Sequence, residues 1–150
     1  MEEISKLTKI EIVQIYNYQL NLFFSELVNI SKELDIEVNS NKSDINKLLL
    51  YKKLMETGLI LNKELGIEMF ASFILKEENK DFCTKISEKD YEYFINKKNI
   101  DDTNGFDDLI NTIKNLFIQL SETKKDNIFI YLKKLSLLVK IYIMKKTTNT

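Results

Sequence analysis

Histidine, arginine, proline and tryptophan are absent from this 150-residue chain, which holds one cysteine and three glycines. Each absence removes chemistry. Without His there is no Ser–His or Cys–His nucleophile pair, no imidazole general base and no imidazole metal ligand. Without Arg no planar fork is available to clamp a carboxylate or phosphate, and all 22 basic side chains are lysines. Glycines at positions 58, 66 and 105 stand too far apart for a phosphate-cradling loop. A carboxylate di-metal bundle built on Glu-x-x-His pairs is excluded along with His. The single cysteine, Cys83, has no internal disulfide partner, which fits a reducing intracellular compartment. Lys80 and Lys85 flank it and favour a thiolate, but no base or resolving cysteine accompanies it, so it reads as a small packing residue. The chain is therefore read as a non-enzyme, with no catalytic set, no cofactor site and no metal site.

The chain does contain enough apolar surface for a core. Hydrophobic residues make up 44% and charged residues 30%, the balance of a globular protein and not of a disordered one. One domain over residues 1–150 is expected from the length. Isoleucine, lysine and asparagine together supply 57 of the 150 residues, a bias toward AT-rich codons that reads first as genome composition. The formal net charge is −1, so no global field selects nucleic acid or an anionic membrane. Met1-Glu2-Glu3 offers no basic stretch before an apolar one and no Gly at position 2, so neither a signal peptide nor myristoylation is expected. The most apolar stretch, Ile128 to Met144, is interrupted by Lys133, Lys134 and Lys140, which argues against a membrane span. An intracellular, cytoplasmic location follows as the expectation.

Apolar residues recur at helical spacing nearly throughout. Ile12, Tyr16, Leu20, Phe23, Leu27, Ile30 and Leu34 form one stripe, widened by Val13, Phe24 and Val28. Thr8-x-x-Glu11 has the form of a capping box, and a helix over about 8–35 would be about 40 Å long. That is long against a radius of gyration of about 15 Å, so it would cross the molecule. Ser43 is the expected cap of a helix from Asp44 to Glu56, and Gly58 and Gly66 are read as interrupting or capping two shorter pieces, with Ile67 to Leu75 the next apolar run. Lys76 to Lys80 reads as a charged link. Ser87-x-x-Asp90 is a second box before Tyr91, Phe94 and Ile95, Asn104 caps a helix to Leu120, and Thr123-x-x-Asp126 caps the last, over about 124–146. That last helix is apolar nearly all round, the mark of a central element. No strand alternation or repeat competes. The predicted fold is all-α: one compact bundle of five to seven helices, the C-terminal helix central and the first lying along it.

Three groups of residues are candidates for function. The acidic turn with Asp101, Asp102, Asp107 and Asp108 matches a calcium loop only in part. With Gly105 sixth, Asp102 and Asn104 fit, but Ile100 and Asn111 stand where Asp and a bidentate Glu are needed, so helix capping is the better reading. The segment Lys124–Lys146 carries seven lysines and one aspartate, making Lys133, Lys134 and Lys140 candidate nucleic-acid contacts. Lysine stems snorkelling from a core helix compete with that reading. Nine Phe and seven Tyr exceed what one core face needs; core and core edge is the first reading of Tyr16, Tyr18, Phe23, Phe24, Tyr91 and Tyr93, and partner binding is the second, which makes them the candidate partner-binding residues.

Ile86-Ser87-Glu88-Lys89-Asp90-Tyr91-Glu92-Tyr93-Phe94 resembles a stretch in small helical proteins of large nucleocytoplasmic DNA viruses, roughly Ile-x-x-Lys/Arg-Asp-Glu-x-Phe-Phe. Here Tyr91 replaces the pattern's Glu and Tyr93 its first Phe. The apolar helix before it and the two amphipathic helices after it match in order, over the last 85 residues or so. The resemblance implies a viral setting, in host cytoplasm or virus factory, and no particular chemistry. The leading expectation is a non-catalytic interaction protein presenting a Tyr/Phe-bearing helical surface to a protein partner, possibly a second copy of itself. The alternatives are a nucleic-acid-associated protein using the C-terminal lysines and a viral Bcl-2-like groove binder, although the Asn-Trp-Gly-Arg signature of that family is missing.

Overall fold

The computed structural model describes residues 6–38, 42–96 and 105–147. Among them are seven α-helices: α1 (Lys9–Val38), α2 (Lys42–Leu61), α3 (Leu65–Leu75), α4 (Phe82–Ser87), α5 (Tyr91–Asn96), α6 (Gly105–Ile118) and α7 (Glu122–Thr147). A 3-10 turn, Glu77–Asn79, follows α3, and the described residues contain no strand. The acidic turn from Asp101 to Asn104, the Asn104 cap and the side chains of Ser43 and Asp107 lie outside what is described.

α1 begins where its sequence says it should. The Thr8 backbone N–H donates to Glu11 Oε1 at 2.9 Å and the Glu11 N–H donates to Thr8 Oγ1 at 3.1 Å, a reciprocal capping box. From there one stripe is buried from Ile12 to Leu34, through Tyr16, Leu20, Phe23, Leu27 and Ile30, and no break occurs at Asn21 or Asn29. α7 packs along α1 and also meets α3 and α4, so the C-terminal helix is a central element of a compact bundle. Its buried side chains, from Ile128 and Phe129 to Ile141 and Tyr142, face these neighbours in turn, which is why its sequence lacks a one-sided stripe.

Several boundaries differ from the sequence reading, each for a tertiary reason. Gly58 does not break α2. Its carbonyl accepts from Asn62, and a Cβ there would stand 2.4 Å from Leu65 Cδ2, so the glycine serves close passage at the corner to α3. Gly66 lies inside α3, where a Cβ would meet Leu20 of α1 at 3.1 Å. Asn62 makes the corner by accepting from the Glu64 N–H, and Asn17 of α1 donates to the Lys63 carbonyl at 2.9 Å. The cap of α7 is Ser121, whose Oγ accepts from the Lys124 N–H, and not Thr123. Likewise Ser87 is the last residue of α4, and Asp90 alone caps α5 by accepting from the Tyr93 N–H at 3.0 Å.

The charged link after α3 hides a buried anchor. Asn79 is almost wholly buried and its Nδ2 donates to the Phe73 carbonyl at 2.8 Å, adding a second, shorter bond to an acceptor at the helix end that the Lys76 N–H reaches at 3.3 Å. α4, not anticipated as a helix, buries Phe82 and Ile86, and α5 buries Phe94. These rings join two aromatic groups. Phe70, Phe73, Phe82 and Phe106 lie within 5.0–6.2 Å of one another along their contacts, and Phe94, Phe117, Phe129 and Tyr91 within 4.8–5.5 Å. Phe82 and Phe94 link the two groups at 6.4 Å. The surplus of aromatics is spent inside.

Candidate interaction surface

The six aromatic candidates separate by burial. Tyr16, Phe23 and Phe24 belong to the core, with exposures of 1%, 3% and 2%, so they have no free ring face to offer a partner. The correction follows from α1 burying a wider stripe than one seam, because it meets α2, α3 and α7 on different sides. Tyr91 is half-buried. Its ring packs on Phe117 and Phe129 and its hydroxyl donates to Asp126, so it ties α5 to α7. Tyr93 is also half-buried, and burial with the nearby Asp81 carboxylate pushes its hydroxyl pKa upward. Only Tyr18 stands clear, at 64% exposure. The six do not form one surface.

The apolar surface that the structure does show is on α2. Its inner side carries Ile45 and Leu48, with Tyr51 and Met55 half-buried behind them. Its outer side repeats the chemistry: Leu50 and Leu54 are each 56% exposed, Ile60 83% and Leu61 86%. Leu50, Leu54 and Leu61 are four and seven residues apart, which places them on one face over about 16 Å of helix. Beside Leu54 a recess of about 140 Å³ opens between α2, α3 and α6, floored by Phe24, Met69 and Phe106. The rim is polar: Tyr51 donates to Asp108 of α6 and Lys47 approaches the same carboxylate at 3.8 Å. Burial and that carboxylate push the Tyr51 hydroxyl pKa well above its ordinary value, so it stays protonated and keeps donating. The sequence contained this face as Leu49-Leu50 and Ile60-Leu61. Sequence alone does not single it out, because a helix apolar on two sides reads as core until its covered side is known.

The lysine candidates are all exposed. Lys134 lies over the Tyr131 ring at 5.7 Å, while Lys133 and Lys140 border a groove against α4. Cys83 faces that groove too. Burial raises its thiol pKa, more than the Ser136 hydroxyl and the Lys140 charge lower it, so Lys80 and Lys85 do not make it a thiolate. No helix among the described residues is long and apolar enough to cross a membrane. No family model matches the chain, and neither the curated proteins nor the solved structures contain a match.

Proposed function

We propose that this protein is a non-catalytic interaction module that docks a protein partner on the outer face of α2. The observation that carries this reading is the row Leu50, Leu54 and Leu61, with Ile60 beside it, left uncovered next to an apolar recess. Large aliphatic side chains exposed singly are ordinary on any surface, whereas a row at helical spacing with a polar rim is the form of a partner site. A helix face of this kind suits a second apolar helix, read through anchors three, four and seven residues apart. The non-catalytic part rests on composition: without His or Arg the chain lacks the commonest acid–base and anion-clamping groups.

The test compares the wild-type chain with a Leu50→Lys, Leu54→Glu, Leu61→Lys variant. All three positions are exposed, so the variant keeps the wild-type melting temperature within about 2 °C, as surface changes do. Tagged proteins are used for capture from cells that express the chain, with a high-salt wash. Proteins held by the wild type and lost from the variant support the reading. Identical captures, or none with the wild type, sink it.

A further inference from the structure

The docking face on α2 leaves its occupant open, and the identity argued for it below rests on that reading. Leu50, Leu54, Thr57 and Leu61 follow one another at steps of four, three and four, and all four are exposed. Those are the steps of a coiled-coil seam, in which each side chain drops between residues of a facing helix. Lys53 and Ile60 flank the seam on one side, both of them exposed. Lys47 stands one step before Leu50, and the Asp108 carboxylate 3.8 Å away offsets its charge. Lys53 pairs with no acid among the described residues.

The row is its own complement. Let a second α2 lie antiparallel on the first, about a two-fold axis passing between residues 55 and 56. Leu50 of each copy then stands level with Leu61 of the other, Leu54 with Thr57, and Lys53 with Gly58. No charge enters the seam between Leu50 and Leu61. The two Lys53 positions are offset by about 7.5 Å along the axis, at 1.5 Å per residue. A parallel pair instead sets Lys47 and Lys53 level with their own copies and aligns the two helix dipoles, so the antiparallel arrangement is favoured.

The exposed area sets the strength of such a pair. Leu50, Leu54, Ile60 and Leu61 together expose the equivalent of about three whole aliphatic side chains. Two copies therefore cover roughly 700 Å² of aliphatic surface, at about 120 Å² for each side chain. Interfaces below about 1,200 Å² in total belong to weak, reversible pairs. We propose that the occupant of this face is the α2 of a second copy, joined antiparallel in a weak two-fold dimer.

Sedimentation velocity on the intact chain, from about 2 to about 400 µM, reads the association. The expected result is a reversible monomer–dimer equilibrium with a midpoint of about 1–100 µM, the strength of a small interface. Leu50→Lys and Leu61→Glu each weaken it at least about tenfold, while Ile130→Lys on α7 leaves it unchanged. An equimolar mixture of the Leu50→Lys and Leu61→Glu chains restores the dimer, because the antiparallel register sets the introduced lysine level with the introduced glutamate. The proposal is overturned if the chain stays monomeric over the whole range, or if neither α2 substitution weakens the dimer. A mixture that dimerises no better than its components overturns the antiparallel seam. A monomeric chain whose captures still depend on Leu50, Leu54 and Leu61 gives the face to a different protein, so this inference fails while the docking reading stands. Association and captures that are both indifferent to those residues remove both.

Discussion

Lys89 is the one non-glycine residue with positive φ among the described residues, at 57°. It sits just past α4, where the Asp90 N–H reaches the Lys85 carbonyl at 3.0 Å and its own N–H reaches Ile86 at 3.1 Å. This pair of bonds is a Schellman closure, and the left-handed position within it favours glycine. For lysine the left-handed conformation costs about 1–2 kcal/mol, and glycine returns part of the saving as greater unfolded-state freedom. Its ion pair with Asp126, 3.9 Å away and exposed, contributes little against this. Lys89→Gly is therefore expected to stabilise the protein by about 0.5–1 kcal/mol. Thermal melts should show a Tm higher by about 1–4 °C; an unchanged or lower Tm contradicts the strain. Asn79 works in the opposite sense. Asn79→Ala leaves the Phe73 carbonyl with the longer bond from the Lys76 N–H alone and is expected to cost about 0.5–1.5 kcal/mol, read as a lowered urea midpoint with unchanged slope.

At the scale of elements, what could be read in advance were the features that depend on neighbours in sequence. The α1 stripe and its Thr8–Glu11 box are local, and the structure shows both. The boxes at Ser87 and Thr123 share the same spacing but are not used. Asp126 accepts from Tyr91, 35 residues away, and Ser121 is left to cap α7. Gly58 and Gly66 differ from their sequence reading for the same reason, since their role is defined by Leu65 and Leu20 and not by the helix they stand in. The interaction face was half legible: its leucines are visible in the sequence, but which side of α2 is covered depends on α1, α3 and α6. Long-range pairing also ties the helix ends together. Glu68 of α3 accepts from Tyr142 of α7 at 2.7 Å and pairs with Lys146, while Lys9 of α1 lies 3.4 Å from Glu64. Burial raises the Glu68 pKa, but the bonds from Lys146 and Tyr142 and the charges of Lys146 and Lys9 outweigh it, leaving the carboxyl below its ordinary value. A carboxylate with a depressed folded pKa contributes stability that is present above its unfolded pKa of about 4.5 and lost as pH falls through the lower folded value. The Tm gap between wild type and Glu68→Gln should thus stay constant from pH 7 to about 4.5 and narrow below it. A gap that persists into stronger acid would show that Glu68 acts through packing and not through charge.

Across the whole molecule, burial is unevenly shared. α7 buries side chains at nearly every turn from Ile128 to Tyr142, and α1 does so from Ile12 to Leu34, each against several partners. α2 is held differently. Among its described side chains only Ile45 and Leu48 are fully apolar anchors, helped by Tyr51 through its bond to Asp108. Local opening free energy follows the apolar contacts that must be broken, so α2 should open without the rest of the bundle. Hydrogen exchange measured against low denaturant tests this. Amides of α2 beyond Leu50 should exchange through a sub-global opening of lower free energy, while those in the middle of α1 and α7 exchange only with global unfolding. Tyr51→Phe should lower α2 protection further and leave α7 unchanged, because the lost bond joins α2 to α6 alone. Equal opening free energies for α2 and α7 would mean one cooperative unit and remove this hierarchy. The outcome bears on docking as well. A helix poised to shift can reseat its apolar face against an incoming helix at low cost, and a bound partner that covers Leu50, Leu54 and Leu61 would raise α2 protection toward that of α7.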